Sequence, residues 1–201
     1  MDKPFSQACE NNKQPILQVL QSLLPRATNA RVLEVGSGTG QHAVFFAQAL
    51  SHVTWQTSDL PYNHPGILSW LRDYPGNNLL PPLVLDVSQP QWPAGPFDAI
   101  FTANTLHIMA WERVPDLLRG AASVLVEGGL LIIYGPFNYN GQYTSPSNAR
   151  FDQWLLQQSP DSAIRDFEAV RDTASGLGLA VQQDIAMPAN NRILVFHRQS
   201  D

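Results

Sequence analysis

The stretch Val32-Leu33-Glu34-Val35-Gly36-Ser37-Gly38-Thr39-Gly40 constrains this chain more than any other. Four residues with strand character run into a turn with a glycine at every second position, and Gln41 to Leu50 then opens an apolar helical pattern. A strand, a tight turn and a helix start form the geometry that holds nucleotide-like ligands. Glycine lets the backbone turn sharply and approach a ligand where a Cβ would stand, and the first helical N–H groups, which lack intrahelical partners, face that ligand. Three alternate glycines are a costly way to make a turn with no ligand, because each loses extra backbone entropy on folding. The spacing narrows the choice. A dinucleotide fingerprint places its third glycine at position 41, where this chain has Gln41.

The remainder of the chain repeats the strand–helix alternation. Met1 to Gln14 is polar with no clear period, and it reads either as a solvated lead-in or as a segment that closes over the ligand site. Pro15 suits a helix start, followed by Ile16, Val19, Leu20, Leu23 and Leu24 at helical spacing, with Pro25 as the stop. Val53–Asp59 is a second strand ending in an acid, 25 residues after Glu34. An acid there accepts from ribose hydroxyls in nucleotide-binding α/β folds, with Leu60 beside it, although an aspartate can equally cap the next segment. His64 to Tyr74 is a helix. Leu79 to Val87 is a third, buried strand carrying Asp86 at its end. Pro96 to Asn104 is a fourth, and Trp111 to Leu125 a helix. Leu130 to Tyr134 is continuously apolar, as expected inside a parallel sheet.

Residues 135–148, rich in Asn, Gly, Tyr, Ser and Pro, form a connection long enough to be an active-site loop. Helical patterns cover Phe151 to Gln157 and Ile164 to Leu177. Leu179 to Met187 and Arg192 to His197 close the chain as a hairpin around Pro188-Ala189-Asn190-Asn191. Five alternations and a hairpin predict an α/β fold: a mostly parallel seven-stranded sheet with helices on both faces, in a single domain over residues 1–201. In such sheets ligands bind beyond the carboxyl ends of the strands. Gly36 to Gly40, Asp59, Asp86, Asn104 and Tyr134 all fall at carboxyl ends.

Composition limits the partners. A net charge of −5 and a pI near 5.4 argue against a broad phosphate-binding face, so neither nucleic acid nor an anionic membrane is expected. Cys9 is the only cysteine, which excludes an intrachain disulfide and a thiolate cluster. There is no apolar signal core and no run near the ~18 residues of a spanning helix, so a cytoplasmic protein is expected.

The pattern Glu34-x-Gly36-x-Gly38-x-Gly40 resembles the first motif of class I S-adenosylmethionine-dependent methyltransferases. A narrower resemblance covers nearly the whole chain. Glu10 to Leu17, Gly36 to His42, Asn104 to Ile108, Tyr134-Gly135-Pro136-Phe137, Ser147-Asn148 and Met187 to Asn191 together look like the methyltransferase-like protein 26 family, whose substrate is not established. Asn11 departs from that family's expected arginine, and Thr57 from its proline. The resemblance implies a Rossmann-like fold and S-adenosylmethionine as cofactor. Glu34, Gly36, Ser37, Gly38 and Gly40 would line the cofactor's amino-acid end and Asp59 and Leu60 its ribose. Asp86 would accept from the adenine amino group, with Val87 packed on the ring and Asn104 close by.

Methyl transfer is an in-line displacement, and much of its catalysis comes from placing the nucleophile at about 3–3.5 Å. A base is needed only where the acceptor must lose a proton. His107 is the candidate, since its ordinary pKa lies near neutrality, and a packed histidine at a helix start is the alternative. Asn104 and Tyr134 stand beside it as candidate catalytic residues, and Asn138, Tyr143 and Asn148 offer uncharged hydrogen bonds suited to a small polar acceptor. No His, Asp or Glu grouping has metal-ligand spacing, and no metal is expected. Three readings stand: a small-molecule methyltransferase, a non-catalytic cofactor-binding protein that regulates a partner, and a nucleotide-binding oxidoreductase, which Gln41 disfavours.

Overall fold

The computed structural model describes residues 3–24 and 29–200; Pro25, the expected helix stop, lies outside them. Ser6 caps the first helix, α1 (Gln7–Leu23), its hydroxyl accepting from the Cys9 amide at 3.4 Å. The polar lead-in is therefore helical from Gln7 on, and Pro15 lies inside the helix rather than at its start. An interior proline costs about 3 kcal/mol or more. The early turns offset that cost by docking through polar groups: Asn12 is buried against His42, and Ser6 and Glu10 bond to Gln41. A docking face made of polar residues leaves no apolar period to read.

The chain forms two compact units. The first holds β1 (Arg31–Val35), α2 (Gln41–Ala49), β2 (Thr54–Asp59), a 3-10 turn (Pro61–Asn63), α3 (His64–Leu71) and β3 (Leu79–Val84), together with Phe97–Phe101 of β4 (Phe97–Ala103). β1 runs parallel to β2 and β4, with Val32 opposite Trp55 on one side and Ala99 on the other. Val32, Leu33, Phe46, Trp55, Ile100 and Phe101 are fully buried. The Phe46 ring centroid lies 5.5 Å from those of both Trp55 and Phe101, and such pairs add about 0.5–1.5 kcal/mol each beyond their burial.

β3 departs from the expected buried strand. It ends at Val84, which is 64% exposed, and it is an edge strand of the sheet. Pro81 and Pro82 lie within it, opposite a register shift between Gln56 and Ser58. Side chains stitch the shift: Gln56 Nε2 donates to the Pro81 carbonyl at 2.6 Å, and Thr57 Oγ1 to that of Leu80 at 2.8 Å. Asp86 and Val87 follow the strand rather than ending it.

The second unit carries α4 (Arg113–Val124), β5 (Leu125–Gly135), β6 (Phe137–Asn138), α5 (Pro146–Gln158), β7 (Arg165–Asp166), α6 (Phe167–Ser175), β8 (Leu179–Met187) and β9 (Asn191–Arg198). β9 runs antiparallel to both β5 and β8, giving the expected C-terminal hairpin. The seven-stranded sheet has the order β3-β2-β1-β4-β5-β9-β8 and is mostly parallel outside the hairpin. The segment 135–148 is not one continuous loop. β6 pairs with β7, Tyr139 and Gln142 form a bridge, and α5 begins at Pro146 under a Ser145 cap. Two-residue strands carry no period, which is why they were not legible in the sequence.

Candidate functional site

The glycine turn is braced from below. Gly36, Gly38 and Gly40 all have positive φ, at 75°, 57° and 89°. The Ser58 carbonyl accepts from the N–H groups of Gly36 and Ser37 at 3.1 and 3.0 Å. Ser37 Oγ donates to Glu34 Oε2 at 2.8 Å and accepts from the Ser58 amide at 3.2 Å. Trp55 Nε1 donates to the same Glu34 oxygen at 3.1 Å, and Ser58 Oγ to the Glu34 carbonyl at 2.6 Å. Glu34 and Ser37, expected at a cofactor's amino-acid end, thus brace the turn and are almost fully buried. Burial pushes the Glu34 carboxyl up to about 7, against the pull of its two donors and with a further push from the Asp59 charge.

The glycines differ in what they admit. A Cβ on Gly38, which is exposed, would meet nothing within 4 Å. A Cβ on Gly40 would stand 3.0 Å from the Ile67 Cα, so this glycine allows α3 to approach closely. Asp59 holds the turn and the segment after it: Oδ2 accepts from the Gly38 amide at 2.7 Å, and Oδ1 from the Leu60 amide at 2.7 Å and Asn63 Nδ2 at 2.9 Å. A carboxylate has about four acceptor positions, so one is left beside an open glycine. The Asp59 carbonyl accepts from the Leu85 amide at 3.0 Å, which fixes the chain just before Asp86.

Gln41, at the missing third glycine, is a clamp on the N-terminal segment. Its Oε1 accepts from the Ser6 amide at 2.5 Å and Thr39 Oγ1 at 3.0 Å, and its Nε2 donates to Glu10 Oε1 at 3.3 Å. His42 Nε2 pairs with Asn12 Oδ1 at 2.7 Å while the ring stacks on Phe46. Burial pushes His42 down to about 4. Trp70 Nε1 donates to the Pro4 carbonyl at 2.8 Å, and Lys3 pairs with Asp73 at 2.5 Å. The polar stretch at the N-terminus thus packs on the helix that leaves the glycine turn.

In the second unit, Asn104 leaves β4 with φ of +57° and its amide donates to the Tyr134 carbonyl at 2.9 Å. Tyr134 itself is buried in β5. His107 is buried too, edge-on to Phe151 at 5.5 Å, with its Nδ1 3.6 Å from where a Cβ on Gly135 would stand. Burial first, and the Arg165 charge second, push the imidazole down to about 4. Arg165 holds the His107 turn, its guanidinium donating to the carbonyls of Leu106 (3.0 Å), Met109 and Asp161 (2.7 Å). Asn104, His107 and Tyr134 are thus brought together.

The polar residues of the following segment are hydrogen-bonded to their neighbours, Tyr143 from an exposed position and Asn148 from a buried one. Tyr143 Oη donates to Asp152 Oδ2 at 2.7 Å, and Asp152 Oδ1 accepts from the Ile164 amide at 2.6 Å. Asn148 Nδ2 donates to Thr144 Oγ1 at 3.0 Å and to the Asn190 carbonyl at 3.2 Å. Sequence reasoning missed Arg165 and Asp152. The available signal was scarcity: the chain has only 12 Lys and Arg, and Arg165 stands between Ile164 and the Asp166-Phe167 pair.

The fold recurs in solved methyltransferases. The chain is similar to an O-methyltransferase family protein from Burkholderia thailandensis, with TM-score 0.82 and 17% identity over 94% of this chain and 56% of that one. A family 2 O-methyltransferase from Planctomyces limnophilus, determined in complex with apigenin, gives TM-score 0.80 at 18% identity, with the same coverage of 94% and 56%. The S-adenosylmethionine-dependent methyltransferase SibL in its apo form gives 0.77 at 22%, again over 94% and 56%. This chain spans little more than half the length of the structures it matches, and the likeness defines a class I methyltransferase fold. Residues 3–198 match the family described as Protein of unknown function (DUF938), and the chain belongs to that family.

Proposed function

We propose that this protein is an S-adenosylmethionine-dependent methyltransferase acting on a small-molecule acceptor. The observation that carries the reading is the open Cβ direction of Gly38 in a turn otherwise braced on every side. Its left-handed φ is what the turn requires of a glycine, and the room above it, beside the free acceptor position of Asp59, is what a ligand would use. The residues fit the cofactor: Gly38 leaves room, Asp59 keeps an acceptor for hydroxyls, and Glu34 puts a titratable carboxyl beneath the turn. When bound, the cofactor supplies a methyl group already activated on a sulfonium.

This chain's residues do the rest. Gly36 to Gly40 shape the cradle, Ser37 and Glu34 stiffen it, and Asp59 and Leu60 hold the ribose. Asp86 and Val87 hold the adenine, and Asn104 is a further cofactor-binding candidate. His107 and Tyr134 belong to the acceptor side, where His107 is neutral at physiological pH and orients the acceptor more than it removes protons. The resemblance to the methyltransferase-like protein 26 family supports the same reading, with the segment 135–148 as the proposed active-site segment. Among the described residues no helix is long and apolar enough to cross a membrane, and the cytoplasm, with no nucleic-acid or membrane partner, is the proposed setting.

Calorimetry with S-adenosylmethionine, S-adenosylhomocysteine and NAD tests the cofactor. Tighter binding of NAD than of S-adenosylmethionine would overturn the reading in favour of an oxidoreductase. Release of S-adenosylhomocysteine over a metabolite library then tests catalysis. Cofactor binding with no release across the library would instead support the second reading, a cofactor-binding regulator.

A further inference from the structure

α1 is made of two unlike halves. Ile16, Leu17 and Leu20 are buried and anchor its second half in the core. Of residues 3–15 only Asn12 is buried. The boundary falls at Pro15, which has no N–H to give the Asn11 carbonyl, so the helix lacks a rung where the halves meet. Proline is one of the few causes of a sharp bend in a helix.

The first half is held by the residues that follow the glycine turn. A glutamine amide has two donor and two acceptor positions, and Gln41 uses all four here. Its Oε1 accepts from the Ser6 amide and from Thr39 Oγ1, and its Nε2 donates to the Ser6 carbonyl at 3.4 Å and to Glu10 Oε1. His42 pairs through Nε2 with Asn12 Oδ1 and bonds also to the Cys9 backbone. The Cys9 thiol meets the Thr39 hydroxyl, inside the turn itself. At the tip, Pro4 fits against Gly66, where a Cβ would stand 2.8 Å from the proline Cγ, and Trp70 Nε1 donates to the Pro4 carbonyl. A Cβ on Gly40 would meet the same stretch of α3, at Ile67 and Trp70. Residues 3–14 therefore lie along the turn, tied chiefly by bonds that water can replace. Each such bond is a small net gain, and a segment with few buried apolar groups opens more readily than the core it rests on.

We propose that residues 3–14 are a strap, hinged at Pro15, which opens to pass the cofactor to and from the glycine turn and closes through Gln41 and His42. The apolar half of α1 stays seated while the polar half swings. Gln41 is a positioning residue in this device, a use that a glycine at position 41 could not serve. The hinge rests on α1 and its contacts; the gate rests on the methyltransferase reading.

The tests use the full chain. Without ligand, the amides of Glu10 to Gln14 should exchange with solvent about tenfold or more faster than those of Leu17 to Gln21, and S-adenosylhomocysteine should slow the first group most. Pro15→Ala restores the missing rung and touches no residue of the cofactor site. It should slow exchange at Glu10 to Gln14 and slow both association and dissociation of S-adenosylhomocysteine several-fold, with the affinity within about twofold of wild type. Thr39→Cys sets a second thiol opposite Cys9, the only cysteine of the chain. Its oxidised form holds the strap shut and should take up S-adenosylhomocysteine about tenfold or more slowly than its reduced form, and recovery on reduction shows that the variant is folded. Equal exchange in the two halves of α1 would overturn the hinge. Wild-type association rates in Pro15→Ala would overturn the gate, as would equal rates in the oxidised and reduced forms of Thr39→Cys. If the wild-type protein binds no S-adenosylhomocysteine, the methyltransferase reading fails and takes the gate with it, while the exchange contrast still decides the hinge.

Discussion

Glu34→Gln should change how stability depends on pH in a way the structure fixes in sign and size. Glu34 is 2% exposed with its carboxyl pushed up to about 7 from 4.5, so the folded state retains a proton that the unfolded chain has released. Its contribution is fully present below pH 4.5 and is lost as pH rises through about 7. His42 and His107 act oppositely. Both are pushed down to about 4 from 6.5, so the unfolded chain binds their protons first and stability is lost as pH falls from 6.5 toward 4. Between pH 4.5 and 6.5 the unfolded wild type binds two extra protons at the histidines and one fewer at Glu34, a net gain of one.

Each proton of difference tilts stability by about 1.4 kcal/mol per pH unit. The wild type should therefore gain about that much per unit up to pH 6.5, and Glu34→Gln about twice as much. From pH 4.5 to 7.5 the variant should gain about 3 kcal/mol on the wild type, because glutamine still accepts from Ser37 and Trp55 but carries no proton to lose. Urea unfolding followed by circular dichroism at four pH values reads both slopes. Parallel slopes for the two proteins would refute the buried, protonated Glu34 on which this reasoning rests.

The glycine turn offers a paired test. Gly40→Ala should cost about 2–4 kcal/mol, from a left-handed φ and a backbone contact at 3.0 Å, whereas Gly38→Ala should cost about 1–2 kcal/mol and weaken cofactor binding. Thermal melts and calorimetry separate the two, and equal melts would place both glycines in the same environment. Asp59→Ala should lower S-adenosylmethionine affinity by about 1–3 kcal/mol, and because it also frees the Gly38 amide, proton exchange there should accelerate; wild-type affinity would remove Asp59 from the site. His107→Ala should slow turnover of any acceptor found while cofactor affinity stays within twofold of wild type, a scale of about 0.4 kcal/mol, and unchanged turnover would return His107 to the packed core. Hydrogen exchange across 135–148 should slow when S-adenosylhomocysteine is added, since a segment over an occupied site gains protection.

The strand–turn–helix at Val32 to Leu50 was legible because a run with strand character gives way, across alternate glycines, to an apolar helical pattern. The hairpin at Leu179 to Arg198 was legible from its Pro188-Ala189-Asn190-Asn191 turn, with Asn190 taking the positive φ its type tolerates. The docking of the first turns of α1 was not, although its later apolar stripe of Ile16 and Leu20 was. Its contacts are the amides of Asn12 and Gln41 and the imidazole of His42, residues that hydropathy counts as surface. That Glu34 and Ser37 brace the turn was not legible: the motif marks the turn, but which side chains face inward depends on Trp55 and Ser58, which lie on the neighbouring strand. Asp152 and Arg165 act through carbonyls and amides far along the chain, and no local pattern encodes such partners.

The prolines of β3 have a consequence for how the protein behaves in a crowded solution. An outer strand is a template on which a second chain can lay its own backbone, and the half-exposed Leu83 and Val84 would add apolar area to that encounter. Pro81 and Pro82 have no N–H to offer, and the slipped register beside them bends the ladder an incoming strand would need. The same two residues that break the β pattern therefore act as a guard against filament growth from that side of the sheet. Replacing both with valine would restore the missing donors and lengthen the regular edge, and the resulting protein should aggregate at concentrations where the natural chain stays clear.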